Sequence, residues 1–129
     1  MSREEFIARV RYLGWICFQM GAQLPLHDVP ENYDISTERL EGLIEGTKWA
    51  LENPEATPED NHKSWMESKA SQGYVYGNTL SVENKTHPSM VEFSRLPKIE
   101  QDKDVMDLLM VKLANELYER LIKENEKDD

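Results

Sequence analysis

Residues 73–93, GYVYGNTLSVENKTHPSMVEF, are the stretch of this chain that most constrains its fold. The stretch is too aromatic for a plain linker and too polar for a core helix. Gly77-Asn78 is a turn signal, and YVY at 74–76 and MVEF at 90–93 contain the residue types of short extended segments. Pro88 disfavours helix at His87. The sequence therefore predicts an ordered, partly extended aromatic loop here.

Helical patterns lie on both sides of this aromatic loop. Predicted helices cover about 2–21, 36–53, 57–72 and 98–124. The third has the clearest start, because Thr57 can act as N-cap and Pro58 occupies the first turn, where its missing N–H costs nothing. Gly73 is a natural stop for that helix. The segment 22–34 contains two prolines and is predicted to be a loop.

Apolar residues at spacings of three and four predict which helix faces are buried. The expected inner positions are, in the first helix, Phe6, Val10, Leu13, Cys17 and Met20; in the second, Leu40, Leu43, Ile44, Thr47, Ala50 and Leu51; in the last, Val105, Leu108, Leu109, Lys112, Leu113, Leu117 and Leu121. Cys17 is accordingly expected to be a buried, inert thiol.

Composition restricts the class of protein. The chain has 129 residues and a formal net charge of −10, which disfavours binding to duplex nucleic acid or to an anionic membrane. A single cysteine permits no intramolecular disulfide. The apolar runs are too short to span a bilayer, and the N-terminus is unlike a signal peptide. We expect one mainly α-helical domain in the cytoplasm.

His62, Trp65 and Lys69 share one face of the third predicted helix. An aromatic platform beside a cation and an imidazole suits a flat ring that carries an anionic group. The same spacing also fits a tryptophan packed in the core, with the other two side chains at its rim. Spacing alone favours the core interpretation.

The aromatic loop supplies a second group of candidate residues: Tyr74, Tyr76, Lys85, His87 and Phe93. These side chains could line a pocket. They could equally form a small core for the loop itself, since a long irregular loop must bury something to be ordered.

The sequence favours neither a metal site nor an enzyme. His27, His62 and His87 lack the paired spacing of zinc ligands. No nucleophile motif surrounds Ser64 or Ser89, and no glycine-rich phosphate loop is present. We therefore expect a non-enzymatic protein with no metal and no cofactor.

The segment 57–104 resembles the ryanodine receptor repeat, or RyR domain, in the form of a small stand-alone bacterial or phage member. The matching positions are His62, Trp65, Lys69, Gly73, Tyr74, Tyr76, Gly77, Lys85, His87, Pro88, Val91, Phe93, Leu96, Pro97, Lys103 and Asp104. Tyr74 stands where the family usually has Trp, and Glu92 where many members have Pro. The resemblance implies a two-helix repeat clasping the aromatic loop.

This resemblance implies domain limits as well as a fold. Within a single domain at 1–129, residues 1–56 would be an N-terminal helical part, 57–124 the repeat and 125–129 a disordered acidic tail. In the channels two repeats pair, so a single repeat is expected to be able to form a homodimer with an isologous interface.

The family's pocket in the channels is associated with adenine nucleotides. Carried onto this sequence, it implies His62, Trp65, Lys69, His87 and Ser89, although the channels can have a basic residue at the last position. Tyr76 and Lys85 complete the predicted ligand-binding set.

Two other functions stay open at this stage. One is a protein–protein interaction module of viral or bacterial origin, in which the aromatic loop docks to a partner and no small molecule binds. The other is an enzyme that acts on a nucleotide with His62 or His87 as acid–base. The first of these is the main alternative to a ligand-binding domain.

Overall fold

The computed structural model describes residues 1–23 and 35–127 and is mainly helical there, as predicted. The elements are α1 (Arg3–Gln23), α2 (Thr37–Glu52), α3 (Pro58–Ser71), β1 (Val75–Tyr76), β2 (Thr86–His87), a 3₁₀ turn (Phe93–Arg95) and α4 (Lys98–Lys127). Helix α1 continues two residues past the predicted stop at Gly21. The rest of the predicted loop, 24–34, and its His27 lie outside the described residues. None of the helices in the described part of the chain is long and apolar enough to cross a membrane.

The chain divides into two compact units. The first combines Met1–Pro54 with Met106–Asp129, and the second is Glu55–Val105. Helix α4 contributes its first eight residues to the second unit and the remainder to the first. It continues to Lys127, so residues 125–127 of the predicted acidic tail are helical, whereas 128–129 lie outside the described residues.

The first unit is built around a small core of α1, α2 and α4. Ile7, Ala50, Val111 and Ala114 are buried together there. The predicted inner face of α2 is confirmed, since Leu43, Thr47 and Ala50 are its buried residues.

A buried ion pair lies in the same unit. The guanidinium of Arg11 donates from Nε and Nη2 to the two carboxylate oxygens of Asp107, both at 2.7 Å. Arg11 also donates from Nη1 to the Leu43 carbonyl and to Thr47 Oγ1. Trp15 Nε1 donates to Asp107 as well, at 3.1 Å. A bidentate pair with further hydrogen bonds is the arrangement in which buried charges are compensated.

Several predictions about helix burial are wrong. Leu13 of α1 is 50% exposed, and Val105 and Lys112 of α4 are exposed as well, whereas the side chain of Met20 lies outside the described residues. Cys17 is exposed. Leu109, Leu113, Leu117 and Leu121 on α4 are also exposed, whereas Val111, Ala114 and Asp107 are buried. The physical reason is that Asp107 pairs with Arg11. The face of α4 that carries Asp107 therefore packs against α1, and the face that carries the leucines is exposed to solvent. A periodicity of apolar residues does not distinguish a core face from an unpartnered one.

The second unit holds α3 and the aromatic loop. Thr57 and Asp60 form a reciprocal capping box, and Pro58 lies at the start of α3. Strands β1 and β2 are parallel, with Val75 opposite Thr86. Residue Ser81 of the intervening loop pairs antiparallel with Thr86 on the other side of β2. The extended segment predicted at 90–93 is not a strand, because Val91 binds a side chain and Phe93 starts the 3₁₀ turn.

Candidate functional site

His62 attaches α3 to the aromatic loop. Its Nε2 donates to the carbonyl oxygen of Val91 at 2.7 Å, and its side chain is almost fully buried. A carbonyl can only accept, so Nε2 carries the proton. Nδ1 then faces Asp104, whose Oδ2 lies 3.8 Å away. His62 thus joins three segments of this unit, which is a structural role.

An aromatic cluster continues from His62 across α3. The rings of His62 and Trp65 are stacked with centroids 5.6 Å apart. Trp65 meets the His87 ring edge-on at 4.8 Å, and His62 meets Phe93 at 6.2 Å. Trp65 remains partly exposed. We call Trp65, His87 and Lys69 the Trp65 cluster.

The pKa of His87, in this cluster, is shifted from its usual value. Burial lowers the pKa of its imidazole, and the nearby charges of Lys69 and Lys103 lower the pKa further. Glu100 opposes this effect to a smaller extent. The Nδ1 atom accepts the backbone N–H of Ser89 at 3.0 Å, so neutral His87 carries its proton on Nε2.

The ammonium groups of Lys69 and Lys103 therefore both act on the charge of the His87 ring. Lys69 also stands over the Tyr74 ring, with Nζ 4.9 Å from the centroid. Lys103 is held by Glu100 at 2.8 Å on the same helix. The site combines a partly exposed indole, an imidazole, the cation of Lys69 and the ion pair of Lys103 with Glu100, although the chain as a whole has a net charge of −10. A local cation can bind a small anion even where the net charge of the chain is negative.

The structure places two of the predicted site residues elsewhere. Lys85 has a φ of +54° and donates from Nζ to the Gln72 carbonyl at 2.9 Å, which supports the turn after α3. Tyr76 is exposed and donates from its hydroxyl to Asn78 Oδ1. Ser89 contacts His87 through its backbone N–H, not through its hydroxyl.

An open groove of about 760 Å³ lies beside the Trp65 cluster. Its lining residues are Met66, Tyr76, Pro88, Met90, Val91, Glu92, Arg95 and Pro97. Met66 and Pro88 directly follow Trp65 and His87 in the chain, but neither of those rings lines the groove. Its walls are mainly apolar, with one acidic and one basic side chain.

The sequence model of the RyR domain family matches residues 30–118, more than half of the chain. The chain belongs to the RyR domain family. No curated protein and no solved structure matches it.

Two residues of this RyR domain were not predicted as site residues. They are Lys103, which appears above only among the positions that match the family pattern, and Arg95, which lines the groove. Nothing in the local sequence links Lys103 to His87, because its charge acts on the imidazole only in the folded chain. Among the described residues, no three His, Cys, Asp or Glu side chains are grouped to hold a metal ion.

Proposed function

We propose that this RyR domain is a non-enzymatic binding domain for a small, planar, anionic molecule of the adenine-nucleotide type. The observation that supports the proposal is the Trp65 cluster. The His87 ring meets Trp65 at 4.8 Å, Lys69 stands over the Tyr74 ring at 4.9 Å, and the charges of Lys69 and Lys103 both lower the pKa of His87. The cluster thus offers an aromatic surface and positive charge in one place.

Each member of the Trp65 cluster, together with the neighbouring Lys103 and His62, has a distinct role in this proposal. The exposed part of Trp65 stacks against the base, an interaction of about 1–3 kcal/mol. Lys69 and Lys103 attract the phosphate as point charges. His87 donates from Nε2 when it is neutral, and His62 holds the loop in position. Lys85 and Tyr76 stay outside this direct set.

Tryptophan fluorescence is a direct first test. Adenine nucleotides should quench or shift the emission of the full chain. The Trp65→Phe variant, which retains Trp15 and Trp49, should lose most of that change. Lys69→Gln should weaken the response, whereas Lys63→Gln is the matched control because Lys63 is exposed on the same helix. An equal response in Trp65→Phe and the wild type would contradict stacking on Trp65.

A protein-interaction module is the second candidate, and the open groove favours it. Val75 and Gly77 donate their N–H groups toward β2, so the backbone of Tyr76 faces the outer edge of β1. Among the described residues no third strand pairs with that edge, since the sheet has two strands. An extended peptide could pair with this edge while its apolar side chains enter the groove.

Selection from a random-peptide library on the full chain tests this second candidate. Apolar peptides should bind, and Met90→Glu should abolish their binding without affecting nucleotide-induced fluorescence changes. Peptide binding that persists in Met90→Glu would contradict docking in the groove. The two functions are thereby tested through different residues.

A further inference from the structure

Helix α4 carries a row of exposed aliphatic side chains that neither the core nor the Trp65 cluster uses. We call this row the leucine ridge. Its members, with their exposed fractions, are Val105 (43%), Leu109 (53%), Leu113 (61%), Leu117 (47%) and Leu121 (42%). Single exposed leucines are ordinary on a protein surface, but a continuous apolar row usually marks an interaction site.

The spacing of the ridge specifies how it can pack. Its members lie four residues apart, which makes them one i±4n ridge of the helix. Two such ridges interdigitate at a crossing angle of about −50°, the commonest class of helix packing in globular proteins. The same row on a second copy of the chain therefore has complementary geometry.

The exposed fraction of the side chains changes regularly along the leucine ridge. It is highest at Leu113 and falls in both directions, through 53% and 47% at Leu109 and Leu117, to 43% and 42% at the two ends. In a twofold, antiparallel contact centred on Leu113, that residue meets its own copy and Leu109 meets Leu117 of the second copy. In this arrangement each side chain contacts one whose exposed fraction is similar to its own.

The charges beside the ridge fit the same arrangement. Lys112 and Glu116 are exposed on one flank, one helical turn apart, and neither forms an ion pair with another described residue. In an antiparallel contact the same flanks face each other, so Lys112 of one copy approaches Glu116 of the second copy. The twofold axis repeats this pair, and such rim pairs fix the register of an interface.

We infer that the leucine ridge is an isologous contact between two copies of this chain, with α4 helices antiparallel and a twofold axis at Leu113. The occupant of the ridge is thus a second copy of the chain. This contact does not depend on the Trp65 cluster or on any ligand. A homodimer and a nucleotide site can therefore be tested separately.

Sedimentation equilibrium of the full chain tests the inference. The wild type should self-associate with a dissociation constant of roughly micromolar order. Leu113→Glu places two like charges at the axis and should raise the dissociation constant by roughly tenfold or more. Leu80→Glu is the matched control, since Leu80 has the same 61% exposure but lies in the aromatic loop. It should leave self-association unchanged.

Charge reversal tests the register. Lys112→Glu should weaken self-association, and adding Glu116→Lys should restore it. Circular dichroism at a concentration below the dissociation constant should show that each variant melts like the wild type, because all of these side chains are exposed. A double variant as weak as the single one would overturn the proposed register.

Cross-linking tests the axis. In a Cys17→Ser background, Leu113→Cys should cross-link efficiently with a short bis-maleimide, since the two copies of that residue meet. Leu109→Cys alone should cross-link poorly, and a mixture of the Leu109→Cys and Leu117→Cys chains should cross-link well. A monomeric wild type at about 100 μM would overturn the inference, as would equal cross-linking of Leu109→Cys and Leu113→Cys.

Discussion

The imidazole of His62 donates to the carbonyl oxygen of Val91 at 2.7 Å, across 29 residues of chain. This hydrogen bond attaches the aromatic loop to α3 and holds His87 near Trp65. The loop is therefore positioned by a buried polar group as well as by apolar packing.

Removal of this attachment should destabilise the protein. His62→Ala leaves the Val91 carbonyl without its side-chain partner and a space beside Trp65, so the free energy of unfolding should fall by about 2–3 kcal/mol. Urea denaturation measures the change. Lys63→Ala, the exposed neighbour, should change it by less than about 0.5 kcal/mol. Equal effects of the two substitutions would show that the hydrogen bond is unimportant.

The buried pair of Arg11 and Asp107 should respond asymmetrically to substitution. Asp107→Leu alone leaves a buried guanidinium without its carboxylate and should cost about 3–5 kcal/mol of unfolding free energy. The double variant Arg11→Met with Asp107→Leu removes both charges and should recover most of that loss. Urea denaturation of the three proteins decides the matter, and a double variant no more stable than Asp107→Leu would contradict this account.

Two glycines should respond to alanine in opposite directions. At Gly77 a Cβ would lie 2.6 Å from Thr86 Cβ, so Gly77→Ala should force β1 from β2 and destabilise by about 1–3 kcal/mol. At Gly42, in α2, a Cβ meets nothing within 4 Å. Gly42→Ala should therefore stabilise by about 0.5–1 kcal/mol. Thermal melts measure the change in melting temperature of each variant. Shifts of the same sign in both variants would contradict this prediction.

His87 should make the folded protein sensitive to acid. Its folded-state pKa is lowered from 6.5, chiefly by burial, so the unfolded chain binds a proton more readily. The stabilising contribution is present above pH 6.5 and is lost as the pH falls through the lowered folded-state pKa. His87→Gln should flatten this part of the stability profile, measured by urea denaturation at several pH values. An unchanged profile in His87→Gln would assign the acid sensitivity to other groups.

Local sequence signals predicted much of this fold. Thr57, Pro58 and Gly73 mark the limits of α3 because capping and chain reversal depend on neighbouring residues. The burial of α4 could not be predicted in this way. Its leucines have core periodicity, yet Asp107 decides which side faces α1 through a contact 96 residues away.

In the candidate site, too, local spacing could be predicted from the sequence, whereas contacts between distant residues could not. The spacing of His62, Trp65 and Lys69 along α3 was visible in the sequence, and so was the link to His87 through the family resemblance. The position of Lys85 was not, because a positive φ and a hydrogen bond to Gln72 direct its side chain to the turn. The proximity of Lys103 to His87 likewise arises only in the folded chain.

Calorimetric titration of the full chain with AMP and with adenosine tests the proposed function most directly. The account predicts that both bind, that AMP binds more tightly, and that Lys69→Gln reduces the affinity for AMP toward that for adenosine. Trp65→Leu should weaken both by roughly tenfold or more, as expected for lost stacking. Absence of binding of AMP up to about 1 mM by a folded wild-type protein would contradict the account.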